Sequence, residues 1–163
     1  MRCCLCAACG RACAVCSEDS FAQGLPAVLA GDFNFKPHAG EACYQLVTTG
    51  RLEPTHPHYP QPPAWEPWRP ELSTPFTSAY AAASEDGKTE PAFTNFVSMP
   101  DDEFCDTLDY VFVSPGVSVT GVDALPSKGD CGPMPNKQQP SDHLCIAADL
   151  DVPLAEATAE ALP

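Results

Sequence analysis

Proline constrains this chain more than any other feature. It occupies 19 of the 163 positions, against an average of about 5% in globular proteins. Each proline fixes φ and removes a backbone donor, so it ends helices and is kept out of central strands. A helical bundle and a coiled coil are therefore excluded. Hydrophobic residues still make up 44% of the chain, enough for a core of short strands and helices. No apolar run reaches the roughly 20 residues that span a bilayer. Acids outnumber bases by 22 to 8, a formal net charge of −14, and no Lys/Arg run exists to displace counterions from a nucleic-acid backbone. A nuclease stays open all the same, because a divalent ion reverses the local effect of acids.

Ten residues are cysteine, with Cys3, Cys4, Cys6, Cys9, Cys13 and Cys16 crowded at the amino end. Cys3, Cys6, Cys9 and Cys13 have the C-x2-C-x2-C-x3-C spacing of an iron–sulfur ligand run. Ala14 stands where the usual proline follows, and no second run exists. A zinc site from Cys6, Cys9, Cys13 and Cys16 lacks the dozen or so residues usual between ligand pairs. The simpler reading is an Ala/Cys-rich leader over residues 1–24. It has no apolar core of signal-peptide length, so the expected compartment is the reducing cytoplasm, with free thiols. Cys43 and Cys145 lie in apolar surroundings and read as small buried hydrophobes.

The folding signals fall in residues 25–151. The apolar run Leu25 to Ala30, stopped by Gly31, predicts a buried strand. Cys43, Leu46 and Val47 recur at i, i+3, i+4 before Gly50, which predicts a short helix over 40–49. Residues 51–75, rich in proline and holding Trp65 and Trp68, predict a long loop. A helical turn is expected over 76–83 and strands over 92–97, 107–114, 117–125 and 144–150. The strand over 117–125 should bend near Gly121, where its alternation slips. Residues 152–163 form an acidic Ala/Pro tail expected to fray.

Three clusters at strand ends carry candidate chemistry. In Gly31-Asp32-Phe33-Asn34, residues two apart share a face in an extended segment. Asp32 and Asn34 then point together while Phe33 anchors in the core. An acid beside an amide suits a metal-bound phosphate and a water, although a strand ending in a polar turn reads equally well. In Asp106-Thr107-Leu108-Asp109-Tyr110-Val111-Phe112, Asp109 shares a face with Thr107, Val111 and Val113. A buried carboxylate is costly unless paired, so Asp109 either faces water at an edge or orients a histidine. Pro140-Ser141-Asp142-His143 places a histidine at the mouth of an apolar run. Sequence neighbours cannot line up as nucleophile, base and orienter in one strand, so Asp109 is the easier partner for His143. His38 matches no motif, and His56-Pro57-His58 reads as a solvated loop.

In this order, Leu29-Ala30-Gly31-Asp32-Phe33-Asn34, Thr107-Leu108-Asp109-Tyr110-Val111-Phe112 and Ser141-Asp142-His143 resemble the endonuclease/exonuclease/phosphatase superfamily, the fold of deoxyribonuclease I and the apurinic endonucleases. Thr77-Ser78-Ala79-Tyr80, Glu90-Pro91-Ala92-Phe93-Thr94-Asn95-Phe96 and Leu125-Pro126-Ser127 are similar to the branch of carbon-catabolite-repressor-type deadenylases, nocturnin, Angel and 2′-phosphodiesterase. The resemblance implies an α/β fold, the carboxy-terminal half of a two-sheet α/β/β/α sandwich. It implies in-line attack of water on a phosphodiester with Mg²⁺ or Mn²⁺ neutralising developing charge, on RNA 3′ ends before other phosphodiesters. Asp32 would hold the metal and position the water, Asn34 would hold the phosphate, and Asp109 would orient His143 towards the scissile phosphate. Asp142 would support the metal. Asn95 and Phe96 would bind substrate, Phe96 by stacking on a base, with ordinary core the equal alternative for that ring. The family domain also has an amino-terminal half, whose Asn and metal-gripping Glu have no match here. The expectation is a partial domain with little or no catalysis alone. An adaptor that keeps part of the fold, with an exposed sheet face and the Trp65/Trp68 loop as its surface, is the competing expectation.

Overall fold

The structure, a computed structural model, describes residues 25–38, 40–65 and 68–153. The amino-terminal cysteine cluster and residues 154–163 lie outside the described residues. The elements run β1 (Val28–Asp32), α1 (Ala42–Thr49), β2 (Thr77–Ser78), α2 (Ala79–Ala83), β3 (Asn95–Met99), β4 (Asp102–Asp106), β5 (Asp109–Val113), β6 (Ser118–Val122), α3 (Lys128–Cys131) and β7 (Ala148–Asp151).

β5 is the centre of a three-stranded antiparallel sheet ordered β1-β5-β2. Its alternation explains the placement. Tyr110 and Phe112 turn to one face and build a core with Phe35, Val47 and Phe76. α1 covers that face because Val47 and the half-buried Cys43 and Tyr44 point down onto the aromatics. Tyr110 and Phe112 stack with ring centroids 4.9 Å apart, and Phe33 meets Phe112 edge-on at 5.3 Å. Offset and edge-to-face pairs of this kind add about 0.5–1.5 kcal/mol beyond area burial. α1 stops at Gly50, whose φ of 81° is reached without strain only by a residue lacking Cβ. The proline-rich excursion that follows is clipped where Arg51 bridges Glu71.

β3 and β4 form a hairpin, and β6 pairs with β7. A second core of Phe93, Phe96, Met134 and Leu144 sits against this part of the chain. The β6–β7 register slips between Val119 and Gly121, at the bend that the broken alternation predicts.

Four expectations need correction. β1 starts at Val28 and runs through Gly31 to Asp32, and it is not a buried strand: Leu29 is half-buried and its other four residues are exposed. β4 has no apolar signal in Asp102-Glu103-Phe104-Cys105-Asp106, and it is held by backbone pairing to β3. Of the strand expected over 144–150 only the last three residues are β, within Ala148–Asp151. The residues before it join the start of β3 instead, where Leu144 N–H donates to the Thr94 carbonyl at 2.7 Å. Cys43 is half-buried but Cys145 is exposed. Among the described residues no helix is long and apolar enough to cross a membrane.

Candidate functional site

Antiparallel pairing of β1 and β5 sets Asp32 directly opposite Asp109. Ala30 and Val28 face Val111 and Val113 in the same ladder, so the two acids end one face of the sheet. Like charges directly opposite one another on a sheet are destabilising. The register therefore places a local cost at this end of β1 and β5, which a cation would offset.

His143 arrives from a third segment. It bridges to Asn95 in the backbone, and its Nδ1 lies 2.8 Å from Asp109 Oδ2. Asp32, Asp109 and His143 each bring a ligand atom to within 4.8 Å of the others, among the described residues the one such cluster of His, Cys, Asp or Glu. Burial alone would lower the His143 pKa; the Asp109 hydrogen bond and charge, helped by Asp32 and Asp142, outweigh it and hold the imidazole above the usual histidine value.

Asp32 and Asn34 also meet, by a route other than strand alternation. β1 ends at Asp32, and Asn34 adopts a left-handed φ of 55°, which asparagine tolerates better than most residues. Asn34 N–H donates to Asp32 Oδ1 at 2.9 Å, and Asn34 Nδ2 donates to Asp32 Oδ2 at 3.0 Å. Phe33 turns into the aromatic core, and that anchor fixes the turn.

Other sequence candidates are placed differently. Asn95 opens β3 and is 4% exposed, next to His143 in the backbone bridge. Phe96 is 2% exposed and packs on Phe93, Met134 and Leu144, with Lys128 Nζ 4.8 Å from its ring centroid. No open face is left for a base, so stacking at Phe96 is corrected to core. Asp142 is exposed and outside the cluster of Asp32, Asp109 and His143; its carbonyl accepts from Phe96 N–H. His38 sits 4.0 Å from Asp106. His56 Nδ1 accepts from His58 N–H at 3.1 Å, so the pair forms a turn.

Thr94 touches this cluster, and Glu90 is a second paired polar residue elsewhere in the fold. Thr94 is fully buried and its hydroxyl donates to Asp109 Oδ2 at 2.7 Å. Glu90, beside α1 and β2, accepts from Tyr44 Oη at 2.8 Å and from Ser78 Oγ at 2.9 Å. Burial raises the Glu90 pKa against those two bonds. The sequence signal for Thr94 is a polar residue beside Phe93 in the approach to a strand, and such residues seldom stay unpaired.

The sequence profile described as "Endonuclease/Exonuclease/phosphatase family" matches residues 18–143. Carbon catabolite repressor protein 4 homolog 4 of Arabidopsis thaliana is 33% identical over 140 residues, covering 83% of this chain and 29% of its own length. Nocturnin of Xenopus laevis is 30% identical over 136 residues, covering 80% of this chain and 29% of its own. Human 2′,5′-phosphodiesterase 12 is 30% identical over 131 residues, covering 78% and 20%. Among solved structures, the human nocturnin catalytic domain with bound sulfate aligns with a TM-score of 0.49 and 22% identity, covering 83% of this chain and 37% of that one. The chain thus spans 29% of the length of the first curated relatives it matches.

Proposed function

The chain belongs to the endonuclease/exonuclease/phosphatase family, and from that membership we propose that it carries the acid–imidazole part of a metal-dependent phosphodiester hydrolase site, acting on RNA 3′ ends. The observation that carries this reading is the convergence of Asp32, Asp109 and His143 from separate segments, each with a ligand atom within 4.8 Å of the others. The relative named as a 2′,5′-phosphodiesterase supports a nucleic-acid phosphodiester as the substrate class.

The donor set fits a hard divalent ion. Two carboxylates face one another across a strand pair, and Mg²⁺ or Mn²⁺ is held by carboxylate oxygens together with waters. Asp32 would hold the ion, with Asp109 alongside. Once bound, the ion would neutralise charge that builds on the phosphoryl oxygens. The chain's own residues do the rest. Asn34 fixes the Asp32 carboxylate by two hydrogen bonds, so that group does not need to reorganise. Asp109 accepts from His143 at Nδ1, which stabilises the protonated ring. An imidazole pKa raised above the usual histidine value suits a group that donates a hydrogen bond or proton to an anionic ester. Asn95 lies beside His143 and would give a neutral donor to the same phosphate.

Mn²⁺ titration of the full chain, followed by electron paramagnetic resonance, tests the reading. Binding is expected, with at least a tenfold loss of affinity in Asp32→Asn and little change in Asp142→Asn. Hydrolysis of a 3′-labelled oligoadenylate with Mg²⁺, where present, should fall by about 10²-fold or more in His143→Gln. Mn²⁺ affinity unaltered in Asp32→Asn would overturn the assignment.

A further inference from the structure

We propose that Thr94 is the positioning residue of this site: its hydroxyl fixes Asp109 and, through Asp109, holds neutral His143 as the Nδ1–H tautomer. The proposal rests on the reading of Asp109 and His143 as a functional pair and adds what holds that pair in place.

The direction of the Thr94 hydrogen bond follows from a donor count. A threonine hydroxyl has one proton and two lone pairs. Leu108 N–H donates to Thr94 Oγ1 at 2.9 Å, and Asp109 N–H donates to it at 3.0 Å. Both lone pairs are taken, so the one hydroxyl proton goes to the remaining neighbour, Asp109 Oδ2, at 2.7 Å. The same oxygen lies 2.8 Å from His143 Nδ1. An ionised carboxylate only accepts, so Nδ1 is the donor and Nε2 is left free in the neutral ring. Thr94 and His143 thus close on a single oxygen, and a rotation of the Asp109 carboxyl would break both bonds.

The backbone of Thr94 makes the bracket stiffer. Its N–H donates to the Asp106 carbonyl at 3.0 Å, and its carbonyl accepts from Leu144 N–H at 2.7 Å. One fully buried residue therefore ties β4, the start of β5 and the segment bearing His143. Second partners of this kind are what fix the tautomer and ring direction of a functional histidine.

The test is the tautomer of His143 in the full-length chain, read by proton–nitrogen correlation of the imidazole nitrogens at a pH where the ring is neutral. Signals are assigned by their loss in His143→Gln. Wild type is expected to give the Nδ1–H pattern. Thr94→Val keeps the shape and removes the hydroxyl, and should lose that pattern in favour of the Nε2–H form that free histidine prefers. Thr94→Ser keeps the hydroxyl and should retain it. A folded Thr94→Val that still shows Nδ1–H overturns the proposal. So does a folded Thr94→Ser that loses it, and this arm decides the matter if Thr94→Val fails to fold. The readout needs neither metal nor turnover. A chain whose Mn²⁺ affinity is unaltered in Asp32→Asn but which shows the expected tautomers would sink the hydrolase reading and leave this one standing.

Discussion

Asp32 and Asp109 repel across β1 and β5, and the residues around them answer with donors: Asn34 on the first, Thr94 and His143 on the second. His143 pays back part of the cost by ionising. Burial pulls its pKa down, but the Asp109 bond and charge pull it up further. A raised histidine pKa means stability that is whole below the unfolded value of about 6.5 and is lost as pH rises through the folded one. Asp109→Asn is expected to lower the His143 pKa, measured from its ring proton shifts against pH, and to remove that acid-side stability. Glu90 titrates with the same sign for another reason. Its carboxyl is raised by burial, against hydrogen bonds from Ser78 and Tyr44. Its contribution is whole below the usual glutamate range and is lost as pH rises through the raised value. Glu90→Gln should flatten the fall in melting temperature as pH rises above the usual glutamate range. A parallel pair of curves would show that Glu90 is not the group responsible.

The elements are short, so their ends matter as much as their lengths. α1 has eight residues and ends on the left-handed Gly50, whose N–H returns to the Leu46 carbonyl. A side chain there would strain the backbone at φ 81° and bring its Cβ to 3.4 Å from the Leu72 carbonyl oxygen. Gly50→Ala should therefore cost about 1–2 kcal/mol of unfolding free energy, read by urea denaturation. α2 begins at Ser78, whose Oγ accepts from Ala81 N–H and donates to Glu90. Ser78→Ala removes the cap and one partner of a buried carboxylate together, a loss of about 1–2 kcal/mol. It should also raise the Glu90 pKa further, which separates it from a plain capping loss. Of these elements, α1, the Gly50 stop and the Gly121 bend are legible from periodicity and glycine alone. β4 is not, because Asp102 to Asp106 holds its place through pairing with β3 and no apolar pattern marks it.

At the scale of the whole molecule, β1 has a single strand neighbour, β5, among the described residues, and Val28 on it is 42% exposed. An apolar strand edge is a template for pairing with another chain. Val28→Lys is expected to reduce self-association in sedimentation velocity while leaving stability within about 0.5 kcal/mol; unchanged association would place the contact elsewhere. The two cores divide the labour. The Tyr110 and Phe112 cluster holds β1 and β5 in register, and the Phe93, Phe96, Met134 and Leu144 cluster seats the segment that carries His143. The site lies where these two parts meet, so damage to either core should displace one half of the Asp109–His143 pair.

The sequence by itself determined which faces the strand residues take and where the chain turns. Alternation put Asp109 with Val111 and Val113 and sent Phe33 inward, because side chains in a strand have a strict period of two. Proline and glycine marked the stops, because each restricts or frees the backbone at its own position. Tertiary structure decided the rest. A period of two names a face but not a partner strand or a register, so only the folded chain sets Asp32 opposite Asp109. Burial depends on what covers a ring, so Phe96 became core under Lys128 and Met134. The Thr94 hydroxyl gained its direction only when Leu108, Asp109 and their N–H groups came within reach, since a hydroxyl proton points to whichever acceptor packing leaves open.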